Sequence, residues 1–181
     1  MTSSSYDFRG NFFELFGLPV AFAIRRDALG DRYRQLQGEL HPDRFSNASQ
    51  HEQRLAIQYS ARVNEAYEVL RRSLSRALYL LELQGLSQEE ISRQQIDGGF
   101  LITQMELREK LESLAELVDP DEVLEHLLAE IQDDLAQEEA AFGRAFEAAD
   151  FDAAAAACVK MQYLDKLLKE AELAEADLLD E

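Results

Sequence analysis

The sequence predicts an all-α protein in two units, an N-terminal antiparallel helical hairpin and a C-terminal three-helix bundle. Three observations carry that prediction. Ala, Leu, Glu, Gln and Arg dominate a chain of 181 residues that holds 3 Pro and 8 Gly, a composition suited to helices. Apolar residues recur at spacings of 3 and 4 along most of the chain, the repeat of one helical face. A polar stretch ending in Gly98-Gly99 interrupts that pattern near the middle and marks a domain boundary.

Asn11 is placed to cap a short first helix carrying Phe12, Leu15 and Phe16, with Gly17 at its end and Pro19 just beyond. Asp27 is the expected cap of the second, in which Leu29, Tyr33, Leu36 and Leu40 follow at spacings of 4, 3 and 4. Pro42 disfavours helical backbone at His41, so the helix stops there and Phe45-Ser46-Asn47-Ala48-Ser49 continues as loop. A third helix begins near Ser49 or Gln50 and runs to about Arg72, with Leu55, Tyr59, Val63, Ala66 and Leu70 on one face. The short connection makes the second and third helices an antiparallel hairpin. Leu74, Leu78 and Leu81 mark one more short helix over 74–83.

The expected organisation is a first unit over 1–83, a linker over 84–98 and a second unit over 99–181. Helices are expected at about 99–118, 120–148 and 151–177, with Asp119-Pro120 as the break, Pro120 as a first helical residue and Asp150 as a cap. At ~100° per residue, Phe100, Leu107, Leu111, Leu114 and Val118 fall within about 60° of one another and form a core stripe. Leu101, Ile102 and Met105 project roughly 150° from that stripe. Either they pack on the first unit or the linker, or they form an exposed apolar patch of the kind that marks a binding site. Tyr163 lies roughly 120° off the Met161, Leu164 and Leu168 stripe and is placed to join the same surface.

A net charge of −18 disfavours nucleic acid and anionic membranes as partners, since both require cationic surface. The charge is unevenly spread: residues 1–83 hold 11 basic and 10 acidic side chains, and the remaining 98 hold 7 and 26. Units of +1 and −19 suggest different partners. One cysteine, Cys158, has no partner for a disulfide and sits in an alanine run with no local cation to make it reactive, which fits a reducing, cytoplasmic setting. No C-x-x-C or Cys/His cluster offers a metal site, and His51 and His126 are isolated. The N-terminus lacks a basic stretch followed by an apolar one, and no run of ~18 apolar residues occurs, so an unexported chain is expected.

His41-Pro42-Asp43 is only a tripeptide, but it falls between two helices of a hairpin and follows a short Phe/Leu helix. With Phe12-Phe13-Glu14-Leu15-Phe16-Gly17-Leu18-Pro19, Tyr33-Arg34-Gln35-Leu36, Arg44-Phe45 and Val63-Asn64-Glu65-Ala66-Tyr67-Glu68-Val69-Leu70, it resembles the J-domain family over residues 11–72. The resemblance implies that His41, Pro42 and Asp43 dock on the ATPase domain of a DnaK-type chaperone and stimulate ATP hydrolysis. It also makes basic residues of the second helix, Arg32 and Arg34 with Arg44 beyond the motif, contacts for an acidic chaperone surface. Gly38 and Glu39 depart from the pattern, standing where many J-domains carry Lys or Arg. In physical terms Pro42 fixes its φ, so Asp43 is offered to a partner's cation at little ordering cost.

The second unit narrows the resemblance. Phe100-Leu101-Ile102-Thr103-Gln104-Met105-Glu106-Leu107-Arg108-Glu109, Asp152-Ala153-Ala154 and Tyr163-Leu164-Asp165-Lys166-Leu167 are similar to HscB-type co-chaperones of iron–sulfur cluster assembly. What that resemblance implies is an adaptor whose C-terminal domain binds the scaffold protein IscU and delivers it to the chaperone HscA. Leu101, Ile102, Met105, Glu106, Glu109 and Tyr163 then become the scaffold contacts, apolar anchors rimmed by charge. Met105 replaces a common Leu and Tyr163 a common Phe, each keeping apolar bulk. No cofactor, metal or small-molecule substrate is expected. A general J-protein whose apolar face holds unfolded clients is the alternative. An enzyme using His41 and Asp43 as an acid/base pair is disfavoured, because no nucleophile, metal ligands or phosphate-cradling loop accompany them.

Overall fold

The computed structural model describes residues 8–114, 117 and 119–179, and among these it is all-α with no strand. Val118, expected in the core stripe, lies outside the described residues, as does the N-terminal segment 1–7. The chain divides into two compact units that part after Leu80.

In the first unit, α1 (Phe12–Leu15) starts where the sequence indicates. The Asn11 side chain accepts from the Glu14 N–H at 3.0 Å, and the Glu14 carboxylate accepts from the Asn11 N–H at 2.9 Å. Gly17 ends the turn at φ +65°, backbone that a Cβ would strain. Helix α2 runs Arg26–Glu39, and here the structure corrects the expected cap. Arg25, not Asp27, is the N-cap, and it contributes no capping bond. Asp27 is already helical in the first turn, where the Arg25 guanidinium, at 2.8 Å, is the main cause holding its carboxyl below the usual range.

Leu40 closes α2, and His41 turns into extended backbone at ψ 133°, as the following proline requires. Pro42–Phe45 then form one turn of 3₁₀ helix, so the motif is more ordered than the open loop expected there. Helix α3 (Gln50–Arg71) begins with a capping box between Ser49 and Glu52. Tyr33 stacks on Tyr67 at 4.0 Å, its hydroxyl donates to Asn64 at 3.0 Å, and Gln37 also reaches Asn64. Later residues of α2 thus meet earlier residues of α3, which makes the hairpin antiparallel. Leu29, Leu36, Val63, Ala66 and Leu70 are buried between them. Each such large aliphatic contributes about 1.5–3 kcal/mol by leaving water. Helix α4 (Ser73–Leu83) follows, the units dividing within its last turn, with Tyr79 stacked on Phe12 at 4.5 Å.

The second unit holds the main departure from expectation. The segment 84–98, read as linker, contains helix α5 (Gln88–Ser92), opened by a capping box between Ser87 and Glu90 and burying Ile91 against α8. Five residues are too few to show a repeat, although the Ser-x-x-Glu spacing is itself a start signal. Helix α6 (Gly98–Glu112) is capped by Asp97 and stops short of the expected 118. Helix α7 (Pro120–Glu147) starts at its proline after the Asp119 cap, and α8 (Phe151–Leu179) follows a tight turn in which Asp150 accepts from the Ala153 N–H at 3.1 Å. Leu107, Leu114, Leu124, Leu127, Ile131, Leu164, Leu167 and Ala171 make the core of this bundle, with Phe100 and Leu111 packed against it.

Candidate functional site

The 3₁₀ turn sets the geometry of His41-Pro42-Asp43. His41 Nδ1 accepts from the Asp43 N–H at 3.3 Å and lies 3.6 Å from Asp43 Oδ2. The Ser46 hydroxyl donates to the Asp43 carbonyl at 3.0 Å. From α3, Gln53 donates to the Phe45 carbonyl at 3.0 Å and the Ala48 carbonyl at 3.2 Å, and Arg44 donates to the Gly38 carbonyl at 3.3 Å. The backbone is thereby fixed while the Asp43 side chain stays 91% exposed. A preorganised, solvent-facing carboxylate suits pairing with a partner's guanidinium and lacks the desolvated pocket that acid/base chemistry needs.

The arginines expected to accompany the motif are less free. Arg34 pairs with Asp31, and Arg32 lies 4.0 Å from Glu39. Both pairs are exposed, so little energy stands in the way of exchanging partners. Beside the motif a groove of about 320 Å³ is lined by Leu40, Pro42, Phe45, Ala56 and Ile57. Ile57, at 68% exposed, was not singled out from sequence. Its signal was available: it lies more than 100° off the Val63 and Leu70 stripe, the displacement that draws attention to Leu101 and Ile102.

On the second unit the off-stripe residues are exposed: Leu101 38%, Ile102 59%, Met105 62% and Tyr163 44%. Glu106 and Glu109 are exposed beside them. Tyr163 of α8 meets Phe100 of α6 edge-on at 6.2 Å, which joins residues far apart in the chain in one surface. Gln104 faces the bundle side and is buried, its amide nitrogen without a hydrogen-bond partner. Among the described residues no cluster of His, Cys, Asp and Glu is arranged to hold a metal, and no helix is long and apolar enough to cross a membrane. Cys158 is buried, and that burial pushes its thiol up to about 12.

Comparison with known proteins decides the family. A model described as the HSCB C-terminal oligomerisation domain matches residues 96–172. A co-chaperone protein HscB homolog from Shewanella loihica is 40% identical over 168 residues, spanning 91% of this chain and 97% of that one. The chain belongs to the HscB co-chaperone family. Another HscB homolog, from Vibrio cholerae, is 39% identical over 180 residues, spanning 93% of this chain and 99% of its own. The solved chaperone HscB from Vibrio cholerae superposes with a TM-score of 0.84 at 36% identity, covering 93% of this chain and 99% of that one. Human co-chaperone HscB gives a TM-score of 0.84 at 32% identity, covering 93% and 84%. The first unit is thus the J-domain and the second the C-terminal helical domain of an HscB-family protein.

Proposed function

We propose that this chain binds an iron–sulfur cluster scaffold protein of the IscU type and delivers it to HscA, a DnaK-type chaperone whose ATPase it stimulates. The observation that carries the proposal is the presence on one chain of two unlike exposed surfaces in separate units. One is the fixed turn that holds out Asp43, with Arg32, Arg34 and Arg44 nearby. The other is the face of Leu101, Ile102, Met105 and Tyr163 rimmed by Glu106 and Glu109. A charged, low-entropy turn suits an arginine-bearing chaperone, and apolar anchors with a polar rim suit a folded protein. Membership of a co-chaperone family supports the division. The proposal takes 1–83 as the chaperone-stimulating domain, 99–181 as the scaffold-binding domain and 84–98 as what joins them. It describes a cytoplasmic protein with two protein partners, no enzymatic activity and no cofactor.

Substitution separates the two surfaces. Asp43→Ala should abolish stimulation of phosphate release by the chaperone, while scaffold affinity by calorimetry stays within about twofold, as expected for independent sites that share no partners. Leu101→Ala combined with Tyr163→Ala should do the reverse, weakening scaffold binding about 100-fold while scaffold-free stimulation persists. Loss of both functions in either variant would contradict the division. Comparable affinity for denatured polypeptide and folded scaffold would instead favour a general client-holding J-protein.

A further inference from the structure

The Nζ of Lys160, on α8, lies 3.1 Å from Asp97 Oδ2, 3.4 Å from Glu138 Oε1 on α7, and 5.2 Å from the centre of the Phe100 ring on α6. One ammonium therefore links three helices. Asp97 has a second task, since its Oδ1 accepts from the Phe100 N–H at 2.8 Å and caps α6. Phe100 in turn meets Tyr163 edge-on, and Leu101 and Ile102 follow it directly along α6. The Lys160 and Glu138 side chains are 23% and 20% exposed, so water screens this α8–α7 pair less than the pairs made by α6 residues, Arg108 with Glu170 and Lys110 with Glu130. Lysine sets a compact point charge between the two carboxylates and the ring face, whereas arginine would bring a planar fork of different shape.

We propose that Lys160 is a positioning residue for the α6 and α8 face: it fixes the first turn of α6 and the Phe100 ring, and through them the presentation of Leu101, Ile102 and Tyr163. This role rests on the scaffold-binding function proposed above. Lys160 acts from behind the face, not as a contact on it. Its electrostatics agree with the geometry. Burial opposes the Lys160 charge, but hydrogen bonding and attraction from Asp97 and Glu138 outweigh it and lift its pKa above the usual value. The Phe100 N–H, and after it Lys160, holds the Asp97 carboxyl below its usual range.

The test uses the full chain and calorimetric titration with the iron–sulfur scaffold protein. Lys160→Met, which keeps the unbranched stem and removes the charged end, should weaken binding about tenfold without changing far-UV circular dichroism or scaffold-free ATPase stimulation. Lys160→Arg should recover only part of that loss, because it restores the charge without the shape. In a Leu101→Ala, Tyr163→Ala background the same Lys160→Met change should cost less than about twofold, since the side chains it orients are gone. An undiminished tenfold effect there would make Lys160 a direct contact and overturn the positioning role, as would wild-type affinity in the single variant. Should Lys160→Met lose helical signal, Asp97→Asn takes its place: it keeps an acceptor for the Phe100 N–H while discharging the partner of Lys160. About threefold weaker binding is then expected, and unchanged binding overturns the role. If the Leu101→Ala, Tyr163→Ala protein binds scaffold normally, the scaffold-binding function fails; if it binds weakly while Lys160→Met binds normally, only the positioning role does.

Discussion

At Asp43 the carboxylate is presented by backbone bonds and a proline, and among the described residues it forms no ion pair with a lysine or arginine. Cys158 is the opposite case, a group withdrawn from every partner. Its thiol stays protonated in the fold up to about 12, against an ordinary value of 9.0. Below pH 9 both folded and unfolded chains keep that proton, and the group is neutral to stability. Above it the unfolded thiol ionises first, so stability falls as pH climbs from about 9 towards about 12. Native protein at pH 8.5 should therefore resist iodoacetamide and react fully once denatured; rapid labelling of folded protein, read by mass spectrometry, would show the thiol to be accessible.

Helix starts account for much of the element-scale order. Asn11, Ser49, Asp97, Asp119 and Asp150 each supply a side-chain acceptor to the first turn that follows. The turn between α7 and α8 carries a cost, since Ala149 adopts φ 56°, backbone that disfavours a Cβ. Ala149→Gly should stabilise the protein by about 1 kcal/mol, measured by urea denaturation. A loss of stability would mean that the turn does not hold that conformation in solution. The cap residues and the spacings of 3 and 4 made the long helices legible in sequence. Asp27 misled because an acid in a first turn and an acid at a cap look alike in a string of letters. Helix α5 was missed because its apolar content is Ile91 alone, too little for a repeat.

Across the whole molecule, legibility follows sequence distance. His41-Pro42-Asp43 is contiguous and readable, whereas its 3₁₀ turn depends on Gln53 from the next helix. The displaced face of α6 follows from angular arithmetic, but Lys160 needs Asp97 and Glu138 brought together from far along the chain. Charge can be read directly, with consequences for each unit: the acidic one repels itself and the near-neutral one does not. Raising salt from low values to about 0.5 M should lift the melting temperature of the acidic unit and leave the other nearly unchanged in scanning calorimetry, because the screening length shrinks to a few ångströms. Equal shifts in both would show that general ion effects dominate.

The two bonds from Gln53 to the backbone beyond Pro42 also bear on time. A segment already folded when its partner arrives needs no slow ordering step after encounter, so association is limited by collision and orientation. Gln53 bonds its own chain's backbone, so it holds the turn in shape before any encounter. On the chaperone-docking role proposed above, a turn made ready in advance spares the encounter that waiting step.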